Sequence, residues 1–148
     1  MGNREENLDT AIHLIHEKAG NIINLSSIYG TAAWGMENQP DFLNQALLIH
    51  TDKEPLELLE TLLTIETEMG RVRDQKWGPR IIDIDILYMD DLVLDSEKLK
   101  IPHPYLPERR FSLVPLVEIS PDWTHPVSGK NVRQMLDECT DEGKVKLY

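Results

Sequence analysis

Residues 81–88 read Ile-Ile-Asp-Ile-Asp-Ile-Leu-Tyr, and the alternation inside them constrains the architecture more than any other stretch. In an extended chain successive side chains point to opposite faces, so Ile82, Ile84 and Ile86 fall on one side and Asp83 and Asp85 on the other. One face is built for burial; the other has to meet solvent or a ligand. Asp90 and Asp91 supply a tight turn into Leu92-Val-Leu94, which predicts that strands 81–88 and 92–94 run antiparallel.

Helical and extended patterns interleave around this pair. Leu8, Ala11, Ile12, Ile15 and Ala19 recur at helical spacing over 5–19, with Gly20 placed to end the helix. Residues 22–29 are β-compatible, 30–40 have the Gly and Pro punctuation of a loop, and 42–51 read as a strand. Glu54-Pro55 opens a second helix carrying Leu56, Leu59, Leu62, Leu63 and Ile65 to a stop at Gly70. Residues 101–107 are too rich in proline for regular structure, 111–118 form a strand or a turn of helix, and 131–139 form a last short helix. The expectation is an α+β sandwich rather than a parallel doubly wound sheet. No Gly-X-X-X-X-Gly-Lys loop occurs, so any ATP chemistry proceeds without one.

At 148 residues the chain is expected to be one domain, 1–148, of ordinary globular composition, with 41% hydrophobic and 28% charged residues. Its one cysteine, Cys139, excludes an internal disulfide and fits a reducing cytoplasm. No apolar run approaches the roughly 20 residues of a membrane span, and Arg4, Glu5 and Glu6 do not begin a signal peptide. Neither a membrane nor a nucleic acid is an expected partner, since a formal net charge of −11 leaves no broad positive surface.

Against that acidity, Arg71, Arg73, Lys76 and Arg80 gather positive charge in one loop directly before the aspartates. Such a patch needs a local anion. Asp83 and Asp85, about 7 Å apart at their Cα atoms, are close enough to share hard cations. Magnesium fits, because it takes one or two carboxylates, keeps waters and completes its octahedron with phosphate oxygens. The implied ligand is a polyphosphate. The plainest structural alternative is an ion pair between Arg80 and Asp83, which leaves Asp85, Arg71 and Arg73 without a task.

These residues resemble the 6-hydroxymethyl-7,8-dihydropterin pyrophosphokinase family of folate biosynthesis. The resemblance is carried by Gln39-Pro-Asp-Phe-Leu-Asn44, Gly70-Arg-Val-Arg73, Trp77-Gly-Pro-Arg-Ile-Ile-Asp-Ile-Asp-Ile86, and Pro102-His103 followed by Arg109, Phe111 and Pro115-Leu116. It implies a ferredoxin-like sandwich, a mainly antiparallel sheet covered by helices. It also implies transfer of diphosphate from ATP to the pterin hydroxymethyl group, with ATP and the pterin as small-molecule partners, two magnesium ions, and a functional link to other folate enzymes. By the same resemblance Asp83 and Asp85 hold both metals, and Arg71 and Arg80 clamp phosphate. Glu66, Arg73, Trp77, Arg80, Ile86, His103 and Arg109 contact ATP. Thr31, Ala33, Trp34, Phe42, Asn44, Trp77 and Phe111 line the pterin pocket, with Asn44 reading the pterin amide edge and Phe111 stacking. Two departures stand out: the loop Thr31-Ala-Ala-Trp-Gly35 lacks the family's prolines, and the hydrophobic first strand ending in Gly-Ser-Asn is missing before Met1. The competing readings are a two-metal phosphoesterase using the same aspartates and a degenerate, non-catalytic ferredoxin-like binding module.

Overall fold

The computed structural model describes residues 4–31, 42–72 and 82–148, with only the backbone described for Arg71 and Val72. Arg4–Lys18 forms α1, and its apolar stripe of Ala11 and Ile15 packs with Ala19 on Leu58, Leu62, Ile65 and Met69 of α2, Pro55–Val72. Lys18 donates to both carboxylate oxygens of Glu68, at 2.7 and 2.8 Å, and bolts the two helices together. Gly20 follows α1 for a different reason from the one expected. It is not among the positive-φ glycines, but a Cβ there would sit 2.4 Å from the His50 carbonyl oxygen, so the close approach of the neighbouring strand excludes a side chain. Gly70 does not stop α2, which runs on to Val72; a glycine inside a helix costs only about 1 kcal/mol relative to alanine.

The two long strands expected over 22–29 and 42–51 are each broken. β1 (Asn21–Leu25) pairs antiparallel with β4 (Leu47–His50), and β2 (Tyr29–Thr31) with β3 (Phe42–Asn44). Between the ladders, Ser26, Ser27 and Ile28 face only Gln45 and Ala46, so the hairpin carries an extra residue and bends. Buried Ser26 fills the joint: its N–H donates to the Ala46 carbonyl at 2.9 Å and its Oγ accepts from the Ala46 N–H at 2.9 Å. β7, Val145–Leu147, adds to the other edge of β2.

Residues 82–88 also depart from expectation. They belong to no strand ladder among the described residues, and the short strand after the turn, β5 (Leu94–Asp95), pairs with β6 (Lys100–Ile101) instead. The turn itself is present, with Leu92 N–H donating to the Met89 carbonyl at 3.0 Å and Asp90 at φ 50°. The backbone of 82–88 is held otherwise: Ile84 N–H donates to the Glu66 carboxylate at 2.7 Å and the Leu87 carbonyl accepts from His103 N–H at 2.9 Å.

The alternation holds without a ladder. Ile82, Ile84 and Ile86 pack against the α1–α2 core while Asp83 and Asp85 are exposed. Leu87 and Tyr88 then pack on a second core of Leu106, Leu113, Leu116, Val132 and Met135. That core joins a short 3₁₀ turn (Leu106–Glu108), α3 (Arg110–Ile119) and α4 (Val132–Glu138). Residues 111–118 thus lie in a helix, with Pro115 inside it, and α4 begins in a capping box between Asn131 and Gln134. The expectation of mixed helices and antiparallel strands is met; the strands described form three small sheets. Among the described residues no helix is long and apolar enough to cross a membrane.

Candidate active site

Burial of the three isoleucines turns Asp83 and Asp85 outward on one face of the segment. Asp85 is met by Arg109, whose Nη1 lies 3.4 Å from Asp85 Oδ2. That distance is long for a charge-assisted hydrogen bond, so the pair is loose and both groups are available to a ligand. Arg109 sits in the extended residue between the 3₁₀ turn and α3, its guanidinium carbon 5.4 Å from the Tyr105 ring centre and 5.5 Å from that of Phe111. Buried Leu106 and Leu113 anchor the segment on either side. The Asp141 carboxylate accepts from Arg110 N–H at 3.2 Å, in the first turn of α3, where negative charge is favourable.

His103 completes this side. Burial holds its pKa below the ordinary histidine value, with Asp85 pulling it back up and Arg109 adding to the lowering. Its Nδ1 accepts from Tyr105 N–H at 3.2 Å, which leaves the proton on Nε2 as a donor for a ligand oxygen. His103, Asp85 and Ile86 share a groove of about 270 Å³ with Leu59, Ile84 and Leu99. Lys98 and Lys100 line it as well. Glu66, expected as an ATP contact, accepts from the Ile84 amide with one carboxylate oxygen and so braces the aspartate segment.

β2 and β3 bring together residues expected to line a pterin pocket. Asn44 Nδ2 donates to Thr31 Oγ1 at 2.8 Å, and Thr31 is the register partner of Phe42, which is 61% exposed. α3, whose first turn presents Phe111, packs against both strands. Of the other expected site residues, Ala33, Trp34, Arg73, Trp77 and Arg80 lie outside the described residues, and for Arg71 only its backbone position in α2 is described. Tyr105, Leu59, Leu99 and the two lysines carry no sign of a site in the sequence. Leu59 reaches the groove from α2, Leu99 and the two lysines from the β5–β6 hairpin, and Tyr105 is revealed only by the turn that sets it beside Arg109 and His103.

Two exposed carboxylates with oxygen donors alone suit a hard divalent cation better than a soft one. Among the described residues no cluster of three or more metal-binding side chains occurs.

The model of the 7,8-dihydro-6-hydroxymethylpterin-pyrophosphokinase (HPPK) family matches residues 1–121. The chain is 43% identical over 138 residues to the 2-amino-4-hydroxy-6-hydroxymethyldihydropteridine pyrophosphokinase of Synechocystis sp., covering 91% of this chain and 70% of that protein. It is 45% identical over 120 residues to the Bacillus subtilis enzyme of the same name, covering 80% of this chain and 72% of the other. In fold it is similar to Plasmodium falciparum HPPK-DHPS, with a TM-score of 0.68 at 20% identity over 89% of this chain; it spans 40% of that longer chain.

Proposed function

Because this chain belongs to the 7,8-dihydro-6-hydroxymethylpterin-pyrophosphokinase family, we propose that it transfers the β,γ-diphosphate of ATP to 6-hydroxymethyl-7,8-dihydropterin. The pterin hydroxymethyl oxygen attacks the β-phosphorus, the bond from that phosphorus to the α,β-bridging oxygen breaks, and AMP leaves; the hydroxyl proton passes to solvent. Transfer of this kind is mainly positioning and charge neutralisation.

The observation that carries the reading is the outward pair Asp83 and Asp85, with Arg109 beside Asp85 and His103 in the same groove. Asp83 and Asp85 hold magnesium, two ions in this reading, which supplies neutralisation of the phosphate charge when bound. Arg109 leaves Asp85 to meet the triphosphate, and His103 donates from Nε2. Ile86 and Leu59 give the groove an apolar floor for the nucleotide. Thr31 and Asn44 orient the pterin, Asn44 by hydrogen bonds and Phe111 by stacking, with Phe42 flanking. From their sequence positions, Arg71 and Arg80 clamp phosphate, Arg73 contacts ATP, Trp77 covers both substrates, and Ala33 and Trp34 border the pterin.

The whole chain acts as one domain, since α4 and β7 beyond the family match pack on α3 and pair with β2. A ferredoxin-like arrangement, with 82–86 running as an extended element over α1 and α2, is the frame we infer. The lone Cys139 suits a cytoplasmic setting. The HPPK-DHPS chain supports a functional link to other enzymes of folate synthesis. The test is to incubate purified chain with ATP, magnesium and the dihydropterin and follow AMP and pterin diphosphate by mass spectrometry. Pterin-dependent AMP is expected; ATP hydrolysis that ignores the pterin would replace this reading with a phosphoesterase.

A further inference from the structure

Tyr105 is 54% exposed. Three contacts give it work. Its ring lies 5.4 Å from the Arg109 guanidinium carbon, which also stands 5.5 Å from the Phe111 ring, so the cation meets two aromatic side chains. Its ring is tilted at 55° against His103 with centroids 6.0 Å apart. Its backbone N–H donates to His103 Nδ1 and so fixes which imidazole nitrogen faces outward. Without the ring, Arg109 would have one aromatic wall and a loose partner in Asp85, and its long side chain would sample several rotamers.

We propose that Tyr105 is a positioning residue for the nucleotide side of the reaction: it keeps Arg109 and His103 aimed at the phosphates of ATP in the free protein. This inference rests on the reading of Arg109 and His103 as ATP contacts. Its basis is the ring rather than the hydroxyl, because a cation is attracted to the face of any aromatic ring. The exchange Tyr105→Phe therefore preserves the effect, and Tyr105→Leu, which keeps apolar bulk without a π-face, removes it.

The experiment measures MgATP and dihydropterin dissociation constants, turnover, and the Arg109 Hδ chemical shift in wild type, Y105F and Y105L. Y105L is expected to weaken MgATP about five- to tenfold, with pterin affinity within twofold. Its Arg109 resonance moves downfield as the Tyr105 ring current is lost. Y105F stays within twofold of wild type throughout. Unchanged MgATP affinity in Y105L, or an equal loss in Y105F, overturns the inference while leaving the pyrophosphokinase reading intact. A parallel loss of ATP and pterin affinity overturns it too, since a general disturbance of the site would then suffice. A wild-type protein that is folded and binds no MgATP overturns the pyrophosphokinase reading first, and this inference with it.

Discussion

The two sides of the candidate site are built by different means. On the proposed pterin side, Thr31, Phe42 and Asn44 take their places from a regular antiparallel β2–β3 register. On the proposed nucleotide side, Asp83, Asp85, His103 and Arg109 lie outside the described ladders and helix interiors, held by turn and loop hydrogen bonds such as those of Glu66 to the Ile84 amide and of the Leu113 N–H to the Arg109 carbonyl. Charged groups that must release one partner and accept another are thus carried by irregular backbone, while shape recognition is carried by a sheet. Local stability follows the same division, because elements with fewer regular bonds open more readily.

The comparison is broken most severely at the aspartates. Asp85→Ala should lower turnover on the order of 10³-fold while the melting temperature holds, since the side chain is exposed; a near-normal rate would remove the metal assignment. Next comes Glu66→Ala, which strips the Ile84 amide of a charged acceptor and should cost about 1.5–3 kcal/mol in urea unfolding together with turnover. If stability were unaffected, the segment would have a support other than Glu66. On the pterin side, Asn44→Ala should raise the pterin KM about tenfold and leave the MgATP KM unchanged; equal shifts in both constants would dissolve the distinction between the two sides.

The smallest effect concerns the tie between α3 and β2. Glu118 accepts from the Tyr29 hydroxyl at 2.6 Å and from the Ser27 N–H at 2.9 Å, and these bonds, the Tyr29 one foremost, lower its pKa. A carboxylate with a lowered folded-state pKa contributes stability above its unfolded value, here 4.5, and loses it as pH falls through the folded value. Glu118→Gln should flatten the acid limb of the melting-temperature profile slightly, the group being exposed. An identical acid limb in the variant would show the tie to be without consequence for the sheet.

Periodic features are legible in the order of residues alone. The Ile/Asp alternation depends only on spacing along the chain and appears, and of the expected helix stripes Ala11, Ile15 and Ala19 and, in α2, Leu62 and Ile65 reach the core; Leu56 and Leu63 are exposed instead, because the packed face of α2 runs through Leu58 and Met69. The hairpin's break at Ser26 is not legible in this way, because it depends on Ala46, twenty residues away, and a serine within an apolar run carries no local sign of it. Residues 82–88 have the composition of a strand, but a strand also needs a neighbour, and composition does not name one. Gly70 has the look of a stop and is an interior residue, since a single unfavourable position yields to the packing of Ile65 and Met69. In the site, the aspartates are visible from their pattern. Tyr105 is not, because its significance arises only where the chain turns back to set it beside Arg109.

The pairing of β2 gives the chain a built-in order of assembly. One edge of this strand meets β3 across a short stretch of sequence, while the other meets β7 from the opposite end of the chain. Closing the longer loop costs more entropy and comes later, so the pair with β3 can form first, while the outer edge of β2 stays open until residues 145–147 reach it. Until then an unpaired edge is offered to other nascent chains, and the expression yield of this protein should depend on how promptly residues 145–147 arrive to cover it.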